Sequence, residues 1–323
     1  MESIDIVIPV FNESKGLKHF HAALRSALQK IPCHASTRCI YVNDGSTDDT
    51  QAALLALPAE NPRVEILQLS RNFGHQAALT AGLDYADADF VVTMDGDGQH
   101  PPDVLPQMLA LHAEGFDIVQ PQRVDIPSSQ GSLKTTTSRL FYWLLNHIGE
   151  FYMTPGTADF RSMTREVHQA LNNLREYHRF LRGMVPWLGF KTVLLSYESP
   201  PRIAGNSQYS LQKMMRLAAD GLFSFSLLPL RIGILLGCLF LVLGLGEIAY
   251  ILSFWVFHRT DLLVPGWSSV IVMLTVGHGI TMVLLGFIGV YVGMIFHEVK
   301  RRPVYVLRTT AHPAARSAHG SHN

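Results

Sequence analysis

The amino-acid sequence predicts an α/β domain with a mostly parallel, Rossmann-like sheet, followed by interfacial helices and two transmembrane helices. Segments with strand and helix patterns alternate through the N-terminal part of the chain. Two long runs near the C-terminus are almost free of charge. Only 16% of the 323 residues are charged, whereas an ordinary soluble domain is nearer to about 25%. Together these observations predict a soluble α/β domain attached to a membrane hairpin.

The first element is a strand over Ile4–Val10, because a near-continuous apolar run is typical of a strand buried on both faces. A helix follows, since Leu17, Phe20, Leu24 and Leu28 recur at helical spacing. Further strand patterns lie at Arg38–Asn43, Val64–Leu69, Phe90–Met94, Phe116–Gln120 and, briefly, Thr157–Arg161. Helical stretches such as Asp48–Leu57 and His75–Ala86 separate them. This alternation predicts a parallel, doubly wound sheet, which binds ligands at the carboxyl ends of its strands.

Composition excludes several classes of protein. With 26 basic and 26 acidic side chains the chain is neutral, which argues against a nucleic-acid-binding protein, because such a protein needs a basic face. A hydrophobic content of 48% excludes a disordered chain. Three cysteines without a CxxC pair do not suit a disulfide scaffold or a zinc knuckle. The neutrality is a cancellation, since residues 1–226 carry 19 basic and 23 acidic groups and residues 227–323 carry 7 and 3.

Two transmembrane helices are predicted over 231–257 and 264–297, with Glu247 as the one acidic side chain inside them. Both exceed the about 20 residues that span a bilayer. Two buried core helices are the alternative, but such helices seldom run this long without a polar face. Basic residues flank the outer ends of the pair, which predicts that both termini and the soluble domain are cytoplasmic. The remaining predicted segments are a soluble domain over 1–209, amphipathic juxtamembrane helices over 210–230 and a cytoplasmic tail over 298–323, disordered from Thr309 onward.

Carboxylates follow three of the predicted strands. Asp44 comes after the second strand, where its carboxylate is suited to accept hydrogen bonds from a ribose or a base; a helix cap or a turn is the alternative. Asp95 and Asp97, with Gln99 beyond, offer hard oxygen ligands that suit Mg²⁺ or Mn²⁺ carrying a diphosphate; an exposed turn is the alternative. No phosphate-cradling GxxxxGK[ST] motif occurs.

Three arginines are candidates for a cationic clamp around an anionic group: Arg123, Arg161 and Arg202. Surface salt bridges are the alternative for any one of them. The histidines show no HxxxH spacing, so each is expected to be structural or solvated rather than a metal ligand.

With these residues assembled, the chain resembles the polyprenyl-phosphate glycosyltransferases of glycosyltransferase family 2, a group that includes dolichyl-phosphate mannose synthases and bactoprenol glucosyltransferases. The resemblance covers Ile4 to about Pro303. It rests on IPVFNE (8–13), VNDGSTD (42–48), SRNFGHQAAL (70–79), MDGDGQHPP (94–102), DFRSM (159–163), RxxGxSxY (202–209) and FSFSLLPLRI (223–232).

The resemblance implies a GT-A fold, a nucleotide-sugar donor, a divalent metal and inversion at the anomeric carbon. It implies that Asp95, Asp97 and Gln99 bind the metal and that Pro9, Phe11, Glu13, Asp44 and Asp95 bind the donor. It also implies that Arg123, Arg161, Arg202 and Ser207 contact phosphates of donor or acceptor. Asp159, Arg161 and Arg202 are the catalytic candidates; Asp159 matches a proposed base, but an acceptor phosphate is already ionised, so orientation is the alternative role.

The sequence departs from the family at two positions. The family commonly has Ser-Lys-Tyr where this chain has Ser207-Gln208-Tyr209, and lysine where this chain has His75. Both changes are expected to remove a positive charge near the site.

We therefore expect transfer of a sugar, most simply from a UDP-sugar, to undecaprenyl phosphate at the bacterial inner membrane, for cell-envelope glycan modification. By resemblance alone, the protein is expected to be a homo-oligomer, with a tetramer as the expected form. The alternatives are a membrane-tethered nucleotide-sugar-binding protein without turnover and a processive polysaccharide synthase, whose QxxRW motif does not occur.

Overall fold

The computed structural model describes residues 3–31, 36–58, 62–123, 154, 157–176, 179–197 and 266–311, together with scattered positions between 233 and 256. The elements, numbered in chain order, are β1 (Ser3–Val10), α1 (Leu17–Leu28), β2 (Ser36–Asn43), α2 (Thr50–Leu55), β3 (Arg63–Leu69), α3 (His75–Tyr85), β4 (Phe90–Thr93), a 3-10 turn (Pro102–Val104), α4 (Leu105–Ala113), β5 (Ile118–Arg123), β6 (Arg161–Thr164), α5 (Arg165–Asn173), α6 (Leu181–Trp187), β7 (Thr192–Tyr197), α7 (Trp267–Lys300) and β8 (Leu307–Ala311).

The strands form one eight-stranded sheet in the order β7-β5-β6-β4-β1-β2-β3-β8. The pairs β1–β2, β1–β4, β2–β3 and β5–β7 are parallel, whereas β6 and β8 run antiparallel to their neighbours. Val10 lies opposite Asn43 in the register of β1 and β2. The loops after these strands therefore begin at the same level of the sheet, and the predicted mostly parallel α/β fold is confirmed.

The centre of the sheet is buried on both faces, as the apolar runs in the sequence predict. Every residue of β1 from Ile4 onward is buried. Phe20 and Leu24 of α1 pack in the same apolar core as Tyr41 of β2. This core is a rigid support for the loops at the carboxyl ends of the strands.

The expected strand over Thr157–Arg161 is wrong, because the strand begins at Arg161 and Thr157 makes only an isolated bridge to Gln122. A side chain, and not the backbone of a neighbouring strand, makes hydrogen bonds to this segment. Gln120 Nε2 donates hydrogen bonds to the carbonyl oxygens of Ala158 (3.1 Å) and Phe160 (2.8 Å). The segment before β6 is thereby held beside the sheet without joining its ladder.

The amino-terminal edge of the sheet has a buried ion pair. Asp5 accepts hydrogen bonds from Arg38 Nε at 2.7 Å and Nη2 at 2.6 Å. Its Oδ2 also accepts the main-chain N–H groups of Asp87 and Ala88. Because all of these donors serve one carboxylate, the charges at this edge support the fold.

The C-terminal tail adds a strand to the sheet. The predicted disorder from Thr309 onward is wrong for Thr309–Ala311, because these residues belong to β8, which pairs antiparallel with β3. The N–H of Ser70 donates to the carbonyl of Val306 at 2.9 Å, and Tyr305 OH donates to Asp84 Oδ2 at 3.0 Å. The reason is that β3 would otherwise leave an open row of backbone donors and acceptors at the edge of the sheet.

The chain divides into two compact units, and residues 215–302 belong to the second one. Within α7 the stretch Val276–Lys300 has a mean hydropathy of 2.2 and is long and apolar enough to cross a membrane, by length and composition. It is the one such helix among the described residues, and it coincides with the predicted span 264–297 displaced by a few residues.

The other predicted span, 231–257, falls largely outside the described residues. The described positions there are helical. Gly233 lies so close to the side chain of Leu284 that a Cβ atom would clash with it, as expected where small residues let two helices approach. The second transmembrane helix and the predicted domain limits stay predictions, and the juxtamembrane segment 210–230 lies outside the described residues.

We expect that ending the chain after Arg302 destabilises the domain, because this removes β8 and the Tyr305 hydrogen bond. Each lost hydrogen bond is worth about 1 kcal/mol of the free energy of unfolding, and the bared edge of β3 favours aggregation. Thermal unfolding in detergent should show a lower midpoint than for the full chain. A chain ending after Ala311, which keeps β8, is the control; equal midpoints for both truncations would contradict this role of the strand.

Candidate functional site

The loops after β1 and β2 are joined by side-chain hydrogen bonds to each other's backbone. Asn12, which has a positive φ of 56°, accepts the N–H of Thr47 at 2.9 Å and donates its own N–H to Ser46 Oγ at 3.0 Å. The N–H of Glu13 donates to Thr50 Oγ1 at 2.9 Å. The two loops therefore form one structure at the carboxyl edge of the sheet.

Asp44 connects this structure to the loop after β3. It is buried, and its two oxygens accept the N–H groups of Phe73 (2.7 Å) and Gly74 (2.9 Å). Burial raises the pKa of the carboxyl group despite these bonds. Asp44 thus anchors the loop that leads into α3, and contact with a nucleoside stays a prediction that uses the remaining lone pairs of the carboxylate.

Gly45 is a position where the backbone conformation and the close packing of two loops both favour glycine. Its φ is +64°, and a Cβ atom would lie 2.6 Å from the backbone nitrogen of Asn72. The loops after β2 and β3 can approach this closely only because no side chain stands between them.

The acidic side of the site consists of Glu13, Asp95 and Asp97. Glu13 Oε2 and Asp95 Oδ1 are buried and have no hydrogen-bond partner among the described residues. Burial, together with the nearby Asp97 and Asp95 carboxylates, raises the pKa of Glu13 to about 8. Unpaired buried oxygens are costly, so this side of the site is suited to a cation.

The acidic side fits a divalent metal that also binds substrate. Within the part of the chain that the structure describes, no three His, Cys, Asp or Glu side chains are grouped to hold a metal by themselves. Mg²⁺ commonly takes one or two carboxylates and completes its shell with water and substrate phosphates. Asp95, whose buried Oδ1 accepts no hydrogen bond from the described residues, and the neighbouring Asp97 fit this kind of site.

Gln99 lies beside Asp97 and donates hydrogen bonds to its carboxylate. Its N–H and its side-chain Nε2 donate to the two oxygens of Asp97 at 3.0 and 2.8 Å. Gln99 therefore fixes the Asp97 carboxylate, while direct ligation of a metal by Gln99 stays a prediction.

His100 fixes the other aspartate, although nothing in the spacing of the histidines indicates it. The N–H of Asp95 donates to His100 Nδ1 at 2.9 Å. The His100 ring is buried and stacks on Phe160 with ring centroids 4.8 Å apart. The hydrogen bond to Nδ1 and the stacking on Phe160 together fix the ring beside the backbone of Asp95.

The basic side of the site surrounds one buried carboxylate, that of Asp159, which is 2% exposed. Its Oδ2 accepts hydrogen bonds from Gln76 Nε2 at 3.1 Å and Arg182 Nε at 3.1 Å, and His75 Nε2 lies 3.5 Å away. Burial by itself raises the pKa of Asp159, but Arg182, His75 and Arg161 together hold it well below its ordinary value. Asp159 is therefore an ionised carboxylate between cations, which favours orientation over action as a base.

Arg161 does not have the open position expected of a phosphate clamp. Its side chain is 5% exposed, and its Nη1 and Nη2 donate to the main-chain carbonyls of Leu181 and Ala158, both at 3.2 Å. Burial lowers the pKa of Arg161 to about 10, although Asp159 opposes this. The donors of this guanidinium are directed to the protein itself, so Arg161 supports Asp159 and the start of α6.

His75 was expected to remove a positive charge relative to the lysine of the family, and the structure contradicts this. Burial favours the neutral ring, but the contacts with Asp159 and Asp95 prevail and raise the pKa of His75 to about 9. The ring therefore carries a positive charge at neutral pH. The resemblance of the segment SRNFGHQAAL (70–79) to the family is the signal in the sequence that indicated a place near the site.

Arg182 was not among the predicted site residues. It lies in α6, far along the chain from the other motifs, and reaches Asp159 with Nη2 at 3.0 Å as well as with Nε. No spacing rule connects it to the strand ends, so only the folded structure reveals it.

The remaining predicted residues lie at the same edge or outside the described residues. Pro9 is in β1 opposite Val42, and Phe11 follows that strand with 43% of its surface exposed. Arg123 is the exposed last residue of β5. Arg202 and Ser207 lie outside the described residues, so the expected grouping of the three arginines stays a prediction.

Comparison with known proteins identifies the class to which this fold and site belong. Residues 5–171 match the family described as glycosyl transferase family 2. A prophage bactoprenol glucosyl transferase homolog of Escherichia coli (strain K12) is 34% identical over 308 residues, covering 94% of this chain and 98% of that protein. An uncharacterized glycosyltransferase of Synechocystis is 36% identical over 306 residues, covering 94% of both chains. The chain therefore belongs to glycosyltransferase family 2.

Solved structures include more distant similarities. Glucosyl-3-phosphoglycerate synthase from Mycobacterium tuberculosis, solved with Mn²⁺, UDP-glucose and phosphoglyceric acid, matches with a TM-score of 0.44 and 18% identity. The match covers 69% of this chain and 78% of that chain.

We expect the substitution Gly96→Ala to disturb the acidic side of the site. A Cβ atom at Gly96 would lie 2.9 Å from Glu13 Oε2 and 3.0 Å from Val10 Cγ1. Glu13 must then move, so binding of UDP in the presence of Mn²⁺, measured by calorimetry, should weaken by about 10-fold, equivalent to about 1.4 kcal/mol.

Gly16→Ala is the matched control for this substitution, because nothing lies within 4 Å of its added Cβ atom. Its binding should equal that of the wild type. Unchanged binding in Gly96→Ala would show that Glu13 does not need its observed position.

Proposed function

We propose that the protein transfers a sugar from a nucleotide sugar, most simply a UDP-sugar, to a polyprenyl phosphate such as undecaprenyl phosphate. The observation that carries this proposal is the arrangement at one sheet edge of an acidic side, Asp95 and Asp97, beside a cationic side around Asp159. A diphosphate donor and a phosphate acceptor need both. The near full-length similarity to proteins named bactoprenol glucosyl transferase supports the choice of lipid acceptor.

The donor side is assigned to the loops after β1, β2 and β4. Phe11 offers an exposed aromatic face for a base, and Pro9, Glu13 and Asp44 lie in or directly after the strands β1 and β2 that lead into the joined loops. Asp44 acts here through the loop at Phe73 and Gly74 as well as through its own oxygens.

Asp95 and Asp97, with Gln99 beside them, would hold Mg²⁺ or Mn²⁺. Such an ion neutralises the charge that develops on a nucleoside diphosphate leaving group. Gln99 holds the carboxylate of Asp97, and His100 holds the backbone of Asp95, so that the site requires little rearrangement on binding.

The reaction is proposed to proceed with inversion. An oxygen of the acceptor phosphate attacks the anomeric carbon on the face opposite the leaving group, the bond to the donor phosphate breaks, and its electron pair leaves with the nucleoside diphosphate. The acceptor oxygen is already ionised at neutral pH, so no base is required. Asp159 orients its cations, and Arg123, Arg202 and Ser207 are assigned to the phosphates of the substrates.

The reaction is proposed to take place at the cytoplasmic face of the bacterial inner membrane, in a multi-pass protein. The apolar stretch of α7 supports a membrane location. The basic residues at the end of this helix and directly after it, Lys300, Arg301 and Arg302, support a cytoplasmic C-terminus. The product would be a polyprenyl-phosphate-linked sugar for the modification of cell-envelope glycans.

The proposal is tested by offering radiolabelled UDP- and GDP-sugars with undecaprenyl phosphate and Mn²⁺ to the full-length protein. We expect label in an organic-extractable lipid for at least one donor, and loss of this label in Asp97→Ala because the acidic side loses a proposed metal ligand. Binding of a nucleotide sugar without any transfer would support the non-transferring alternative instead. Normal turnover of Asp97→Ala with saturating donor would contradict the metal assignment.

We expect Asp159→Asn to act through orientation rather than through proton transfer. Loss of the carboxylate leaves His75, Arg161 and Arg182 without their common partner, so the KM values for the substrates should rise and the unfolding midpoint should fall. A base would instead lose kcat by about 100-fold or more with KM and stability unchanged.

The pH dependence of stability gives a second measurement on the same variant. Because the pKa of Asp159 is lowered in the folded protein, its stabilisation is complete above the ordinary aspartate pKa of about 4 and is lost as the pH falls below it. The difference in unfolding midpoint between wild type and Asp159→Asn should therefore be constant from neutral pH to about pH 5 and shrink in more acidic solution.

A further inference from the structure

We propose that Arg182 contacts a phosphate group of the substrates, in the role that the sequence indicated for Arg161. The assignment rests on the proposed glycosyl transfer, because a phosphate is the group that donor and acceptor share. Arg182 is thus a further substrate-binding residue of the site.

The side chains of Arg182 and Arg161 differ in exposure. The side chain of Arg182 is 24% exposed, whereas that of Arg161 is 5% exposed. Both guanidinium groups reach the same carboxylate, but from different depths. Arg182 is the one at the surface of the site, where a substrate arrives.

Asp159 fixes the orientation of the Arg182 guanidinium group. Nε and Nη2 of the guanidinium contact a single oxygen, Oδ2, at 3.1 and 3.0 Å. A guanidinium is planar and has five N–H donors, so a carboxylate along one edge fixes the plane of the whole group. An arginine held in this way is prepared for a planar pair of hydrogen bonds to a phosphate.

His75 lies between Asp159 and Asp95. Its Nε2 lies 3.5 Å from Asp159 Oδ2 and 3.5 Å from Asp95 Oδ1, and its side chain is 43% exposed. His75 therefore connects the carboxylate that holds Arg182 to the aspartate proposed for the metal. The cationic surface begins directly beside the acidic side, as a chain of phosphate groups across the site requires.

Two arginines share the single carboxylate of Asp159. The guanidinium groups of Arg161 and Arg182 both contact this buried group. Two positive charges beside one negative charge favour the binding of an anion that brings several acceptor oxygens. Among the groups in the proposed reaction, a phosphate provides them.

The test uses the full-length protein with Arg182→Met and Arg182→Lys, and with Arg165→Met as a matched control. Arg165 is also a partly exposed arginine with carboxylate partners, but these are Asp87 and Asp89, beside the amino end of β1. We measure binding of UDP and of UMP in the presence of Mn²⁺ by calorimetry, and KM for the donor sugar and for undecaprenyl phosphate. Arg165→Met should match the wild type in all of them.

Arg182→Met should weaken one phosphate interaction by about 10-fold or more, as expected for a lost charge-assisted pair. If the donor provides the phosphate, the affinity for UDP falls more than that for UMP, which has no β-phosphate. If the acceptor provides it, UDP binding is unchanged and KM for undecaprenyl phosphate rises. Arg182→Lys keeps the charge beside Asp159 but loses the planar pair, so it should show a smaller change in the same constant.

Wild-type constants in both Arg182 variants would overturn the assignment. If Arg182→Met fails to fold, Arg182→Lys decides, because its cation still compensates Asp159. If the wild type and both Arg182 variants transfer sugar equally well, the proposed function stands and the assignment of Arg182 is overturned. If the wild type transfers no sugar, the proposed function is refuted. The assignment of Arg182 then depends on UDP binding alone: a lower affinity in Arg182→Met supports it, and an unchanged affinity overturns it.

Discussion

The carboxylate of Asp159 is the group on which the arrangement of the site depends. A buried charge is stable only when it is paired and hydrogen-bonded, and this one is served by residues from three separate elements: His75 and Gln76 of α3, Arg161 of β6 and Arg182 of α6. Gln76 also accepts the N–H of Leu181 at 3.2 Å, which joins the start of α6 to the start of α3. The requirement to compensate one charge thus brings together chain segments that are distant in sequence.

The site has two sides with opposite electrostatic character. On the acidic side, Glu13 Oε2 and Asp95 Oδ1 are buried and accept no hydrogen bond from the described residues. On the basic side, cations outnumber the carboxylate that they share. His75 lies between the two sides at 3.5 Å from a carboxylate of each. A cation and an anionic substrate bound together would balance the charges of both.

The loop between β3 and α3 is fixed from several directions. The N–H of Ser70 is bonded to the C-terminal tail, the N–H groups of Phe73 and Gly74 to Asp44, and His75 at its end to two carboxylates. The strand that follows the apolar helix therefore supports a loop of the site. In contrast, at the amino-terminal ends of the strands, Asp5 and Arg38 are paired with each other, and Asp5 also accepts backbone N–H groups.

The sequence by itself determined the parallel sheet, the carboxylates at the strand ends and the apolar run of α7. These features follow from local periodicity, and from the rule that the carboxyl ends of parallel strands share one edge. It did not determine how Arg161 and Arg182 divide their functions, the charge on His75 or the strand formed by Leu307–Ala311. Those depend on the depth and direction of side chains and on pairing between distant segments, which only the tertiary structure decides. A guanidinium beside a carboxylate supports the fold or faces a substrate according to the backbone groups within its reach, and no spacing along the chain contains that information.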